Sequence, residues 1–172
     1  MGLAVDDARI PHSFELADEA GMKFSFDHVE LVDAHPNTVK LNLTGVNGSV
    51  LEVVAASIGG GRIRVCEIDG LPANFEGDYP TLIVRNIDQP GHVMEVTAML
   101  GHKGVNIATL QLFRQSRGGQ AAMVIECDQE VPAESIKWLS RQEGIVKVTY
   151  LSQAQRKIKM MQCERIEICI NH

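Results

Sequence analysis

The chain has 172 residues and 18.9 kDa, with 45% apolar residues and a mean hydropathy of −0.02. Sixteen basic residues against 22 acidic ones leave a formal charge of −6. These values exclude a disordered polymer, a collagen-like fibre and a bare membrane span, and an acidic chain lacks the positive footprint that grips a nucleic-acid backbone. At the N-terminus, Asp6 and Asp7 stand where a signal peptide needs basic and then apolar residues, which reads as a cytoplasmic chain. Ser13 suits the cap of a short helix running to Ala20, with Gly21 stopping it. Met22, Phe24 and Phe26 then alternate with polar residues, as a strand does, and Val39, Leu41 and Leu43 repeat the pattern. Asn47-Gly48 is a strong hairpin signal. A return strand carries Leu51, Val53 and Ala55 on one face, until Ser57-Ile58-Gly59-Gly60-Gly61 interrupts it. Ile63–Ile68 makes a further strand before the turn Asp69-Gly70. Residues 1–79 therefore read as mostly antiparallel sheet with one helix.

Residues 80–151 have a different rhythm. Thr81–Asn86 is a short strand, and Asp88-Gln89-Pro90-Gly91 turns into a helix, with Pro90 suited to its first turn. Val93, Val96 and Leu100 sit three and four apart on one helix face, which Gly101 and Gly104 end. Val105–Phe113 and Ala121–Cys127 are strands joined by Ser116–Gly119. Pro132–Gln142 is helical and buries Ile136 and Leu139, and Val146, Val148 and Tyr150 alternate in a last strand after Gly144. The order βαββαβ over about 70 residues is the ferredoxin-like arrangement. The fold class is thus α+β. Residues 152–172 form a tail without a stop signal, which suits a frayed extension or a partner-docking helix around Arg156, Lys157 and Lys159. The four cysteines, Cys66, Cys127, Cys163 and Cys169, are scattered and suggest neither a disulfide framework nor a metal site.

Three local patterns carry chemistry. Asn86, Asp88 and Gly91 end a strand and open a helix, where unpaired backbone N–H groups accept a carboxylate and Asp88 could hold an ammonium group. Ordinary helix capping explains the same residues. Ser57, Gly59, Gly60 and Gly61 suit a nest of N–H groups around an anion, beside Arg62 and Arg64, or simply a bulged hairpin. His35-Pro36-Asn37 could donate to a carboxylate or shape a turn.

The run IVRNIDQPGHVMEV followed by LGHKGVNIATLQLFR resembles an ACT domain, a small-molecule regulatory module. That resemblance implies a ligand at a subunit interface, touched by Asn86, Asp88 and Gly91 of the βα turn and by Asn106 of the Gly-Val-Asn-Ile segment. It implies a homodimer through this module. With AHPNTVKLNL and VAASIGGGRIRVCEIDG before it, the chain is similar to the β chain of bacterial iron–sulfur L-serine dehydratases. The implied organisation is a partial allosteric substrate-binding domain over 1–79, an ACT domain over 80–151 and the tail. Family β chains begin with a longer segment containing a Ser-Ser-Ser-His-Thr motif that is missing here, so the resemblance implies a truncated chain, a fragmentary gene product or a remodelled regulator. The resemblance further implies that L-serine becomes pyruvate and ammonia on a partner α chain that carries a [4Fe–4S] cluster. This chain would bind serine or a related amino acid, with Ser57, Gly59, Gly60, Gly61, His35 and Asn37 as further anion or substrate contacts. A free-standing amino-acid sensor and the regulatory part of a phosphoglycerate dehydrogenase-like enzyme are the alternatives.

Overall fold

A computed structural model of the chain describes residues 3, 7–152 and 163–171. Its elements are α1 (Ser13–Glu19), β1 (Lys23–Val29), β2 (Thr38–Gly45), β3 (Val50–Gly59), β4 (Arg62–Ile68), β5 (Leu71–Phe75), β6 (Thr81–Ile87), α2 (His92–His102), β7 (Ile107–Arg114), β8 (Gln120–Cys127), α3 (Ala133–Leu139), β9 (Ile145–Leu151) and β10 (Cys163–Asn171). The fold is α+β and mostly sheet. Two compact units divide it, Met1–Gly70 with Ala154–His172 and Leu71–Gln153.

In the first unit the ladder runs β1-β10-β2-β3-β4. Every pairing from β10 through β4 is antiparallel, while β1 lies parallel to β10. The strand β10 corrects the expectation of a tail. Ile166, Ile168 and Ile170 alternate with Arg165, Glu167 and Cys169, and they stand opposite Leu43, Leu41 and Val39 of β2. That apolar register makes the C-terminal segment an inner strand rather than a frayed end. The basic residues Arg156, Lys157 and Lys159 of the expected docking helix lie outside the described residues. Ser13 does not cap α1. It is the first helical residue, behind His12, and no side chain caps that end.

The second unit is an antiparallel sheet in the order β7-β8-β6-β9. Two helices complete the βαββαβ chain order, which is the ferredoxin-like topology. The opening strand β5 buries Leu71, Ala73 and Phe75 and was not recognised in the sequence. The core is formed by Leu82 and Val84 of β6, Val96 and Leu100 of α2, Met123 and Ile125 of β8, and Leu139 of α3. Val93 is exposed, contrary to expectation; the buried face of α2 is His92, Val96, Met99 and Leu100, a cleaner 3.6-residue repeat. The helix starts two residues later than its proline suggests: Gly91 caps it at φ +106, so Pro90 precedes the first turn. Gly101 lies inside the helix, and Gly104, at φ +68, follows its end.

Candidate ligand site

The turn between β6 and α2 is built on Gly91, whose left-handed φ only glycine adopts without strain. The amide of Glu95 closes the first helical turn onto the Gly91 carbonyl at 2.9 Å. The first-turn amides of α2 then point out of the helix N-terminus, where an anion is favoured. Beneath the turn, Asn86 is buried, and its Nδ2 donates to the Ile87 carbonyl at 2.7 Å. Among the described residues its Oδ1 has no hydrogen-bond partner, nor does Nε2 of the buried His92. Both residues adjoin Gly144. The Ile87 amide donates to the Gly144 carbonyl at 2.8 Å, and the His92 ring covers the Gly144 Cα.

Asp88 has a structural task. Its Oδ2 accepts from the Gly118 amide at 3.0 Å and from Arg114 Nη1 at 3.3 Å, and its own amide donates to the Gly119 carbonyl at 2.8 Å. The carboxylate thereby ties the β6–α2 turn to the β7–β8 hairpin. Asn106 is elsewhere. Its Nδ2 donates to Asp128 Oδ2 at 2.6 Å, and its amide donates to Gln129 Oε1 at 2.7 Å. It precedes β7, whereas Arg114 ends that strand, so roughly 25 Å of extended chain separates Asn106 from the Asp88 turn. Within one chain, then, Asn86, Asp88 and Gly91 gather and Asn106 does not join them.

The other sequence candidates meet at one end of the six-stranded ladder. The Ser57 amide donates to the Asn37 carbonyl at 2.9 Å, and the Asn37 amide donates to His35 Nδ1 at 3.1 Å. The His35 carbonyl accepts from Thr38 Oγ1 at 2.6 Å and from Asn171 Nδ2 at 3.4 Å. Gly59, Gly60 and Gly61 all have left-handed φ and form the β3–β4 hairpin, with a register shift between Ser57 and Gly59. Hairpin and turn geometry holds these six residues in place. Asn171, whose Oδ1 also accepts from the Leu31 amide at 2.8 Å, is a buried organiser that the sequence did not flag.

A groove of about 640 Å³ lies between α2 and α3, lined by Ala98, Met99 and Trp138 with Glu95, His102, Lys103, Glu134 and Ser135 at its edges. No sequence motif marked it, because two helix faces compose it. All four cysteines are free thiols. Burial pushes the Cys127 thiol up to about 11, with the Asp128 carboxylate adding to the effect. Among the described residues, no three His, Cys, Asp or Glu side chains are grouped to hold a metal, and none of the helices is long and apolar enough to cross a membrane.

No family model matches the chain. It is 33% identical over 138 residues to the L-serine dehydratase beta chain of Peptoniphilus asaccharolyticus, covering 80% of this chain and 62% of that one. It is 30% identical over 146 residues to the probable L-serine dehydratase beta chain of Bacillus subtilis, covering 85% and 66%. The chain belongs to the L-serine dehydratase beta-chain family. It spans slightly less than two thirds of the length of these two beta chains. A likeness also extends to the D-3-phosphoglycerate dehydrogenase of Bacillus subtilis, at 30% identity over 136 residues, but there it covers only 25% of the relative. The similarity to the beta chains thus takes in a far larger share of the relative.

Proposed function

We propose that this chain is a regulatory and substrate-binding beta chain of an L-serine dehydratase. In this reading its βαββαβ unit is an ACT module that binds L-serine, or an amino acid like it, between two copies. The similarity to two beta chains over 80% and 85% of the chain carries the proposal. Dehydration of serine to pyruvate and ammonia then belongs to a partner α chain holding a [4Fe–4S] cluster. The donor set here does not fit such a cluster. Cys163 and Cys169 lie six residues apart on one strand, about 20 Å of extended chain, and Cys127 is enclosed in the core of the other unit. No catalytic step is assigned to this chain.

The β7 edge supports a ligand site shared between copies. β7 is the outer strand of its sheet, and Leu110 and Leu112 on it are exposed. An open, partly apolar edge invites a second strand. Antiparallel pairing of two such edges brings the start of β7 in one copy toward its end in the other. Asn106 of the second copy then arrives beside Arg114 and the Asp88 turn. The helix N-terminus favours the ligand carboxylate, and the unpartnered Asn86 Oδ1 is an acceptor for an ammonium or hydroxyl group.

Thermal unfolding with and without L-serine, with glycine and phosphate as controls, tests the reading. At a concentration 100 times the dissociation constant, a ligand specific for the folded state adds about 2.7 kcal/mol. The Asn106→Ala variant is expected to remain folded, because its contact with Asp128 is exposed, and to lose the serine shift. A shift that survives this substitution removes Asn106 from the site, and no shift with any amino acid removes the sensor role. Failure of the tagged chain to capture an iron–sulfur α chain would leave a free-standing sensor.

A further inference from the structure

We propose that β1 is a self-association edge, through which two copies of this chain join their six-stranded sheets around a two-fold axis at Ser25. β1 ends the ladder, and among the described residues nothing pairs with its outer side. Its pairing with β10 runs seven residues in unbroken register, without a bulge. Every residue from Lys23 to His28 is exposed. Protein edges are usually blunted by bulges, proline, very short strands or charged side chains; this one has neither bulge nor proline, and its charges, Lys23 and Asp27, are of opposite sign.

The sequence of the strand supplies the partner. Lys23-Phe24-Ser25-Phe26-Asp27 reads the same in reverse except that the charge changes sign. Antiparallel pairing of two copies about Ser25 therefore sets each Lys23 opposite the other copy's Asp27, and each Phe24 opposite the other copy's Phe26. Opposite charges and aromatic pairs in directly facing positions stabilise a sheet, whereas like charges there oppose it. Neither Lys23 nor Asp27 forms an ion pair within the chain among the described residues. Phe14, Phe24 and Phe26 form an aromatic cluster with ring centroids 5.1–6.2 Å apart, yet they remain 55%, 37% and 47% exposed. Rings already ordered in this way present apolar area to a partner at low entropic cost. A strand that is its own complement fits an isologous contact, in which one patch meets its copy.

This contact is separate from the β7 edge, so each of the two readings can fail without the other. In the full-length chain, Ser25→Cys places two thiols across the two-fold. Facing Cα atoms on antiparallel strands lie about 4.5–5.5 Å apart, within the reach of a disulfide. Lys23→Cys, about 13 Å from its own copy along the strand, is the control. Under mild oxidation Ser25→Cys is expected to give at least tenfold more covalent dimer than Lys23→Cys or the unsubstituted chain. In sedimentation, Lys23→Glu alone and Asp27→Lys alone are expected to weaken association, and the double exchange to restore it. Equal cross-linking in Ser25→Cys and the control overturns the proposal, as an edge occupied by a different chain would predict. Single charge reversals without effect, or a double exchange that fails to restore association, also overturn it.

Discussion

At Gly144 two demands coincide. Its φ of +77° is left-handed, and a Cβ there would meet Nε2 of His92 at 2.5 Å. Gly144→Ala is expected to cost about 1–3 kcal/mol, read as a lowered urea midpoint. In the His92→Ala background the steric part disappears, and the same substitution should cost only about 1 kcal/mol. A cost unchanged by His92→Ala would place the strain elsewhere. Cys127 and Tyr150 make an alkaline prediction. Burial raises both, and for Tyr150 the hydrogen bond its hydroxyl donates to Glu130 adds to the rise. Above about pH 9 the unfolded chain loses the Cys127 proton while the folded chain keeps it to about 11. The unfolded state then binds fewer protons, so stability falls as pH rises through that window. Urea midpoints at pH 8, 9.5 and 11 check the sign, and Cys127→Ala should flatten the decline. Asn86, Asp88 and Gly91 were legible as a turn because Gly and Asp before a helix have local causes. The task of Asp88 was not legible, since Arg114 and Gly118 lie 26 and 30 residues away along the chain.

Among the elements, those with a strong local period were readable and those dependent on a neighbour were not. α2 follows from its helical repeat, yet its buried face includes His92, a polar residue that periodicity alone passes over. β4 and β8 are bounded by Gly, Asp and alternation, and both emerged close to their observed limits. β10 did not, because Cys163–Asn171 mixes Arg, Glu and Ile in a pattern that suits a strand only once β1 and β2 flank it. Its place between them makes it decisive for the first unit. Ile166 is 9% exposed, so Ile166→Asp buries a charge with no partner. The expected loss is at least about 3 kcal/mol, measured by urea unfolding. A change below 1 kcal/mol would show that β10 does not hold the ladder together.

For the molecule as a whole, chain order and topology reached different depths. The sequence by itself determined the α+β class, the βαββαβ order and the turn at Asp88–Gly91, because periodicity and glycine and proline placement are properties of adjacent residues; the kinship with L-serine dehydratase beta chains was carried by resemblance to that family. Only the tertiary structure decided that the C-terminal segment is an inner strand, that Asp88 pins a hairpin, and that Asn106 lies a strand's length from the turn it was expected to face. Those outcomes depend on which distant segments pair. Pairing is settled by burial and register over the whole sheet, a balance that no local stretch of sequence contains.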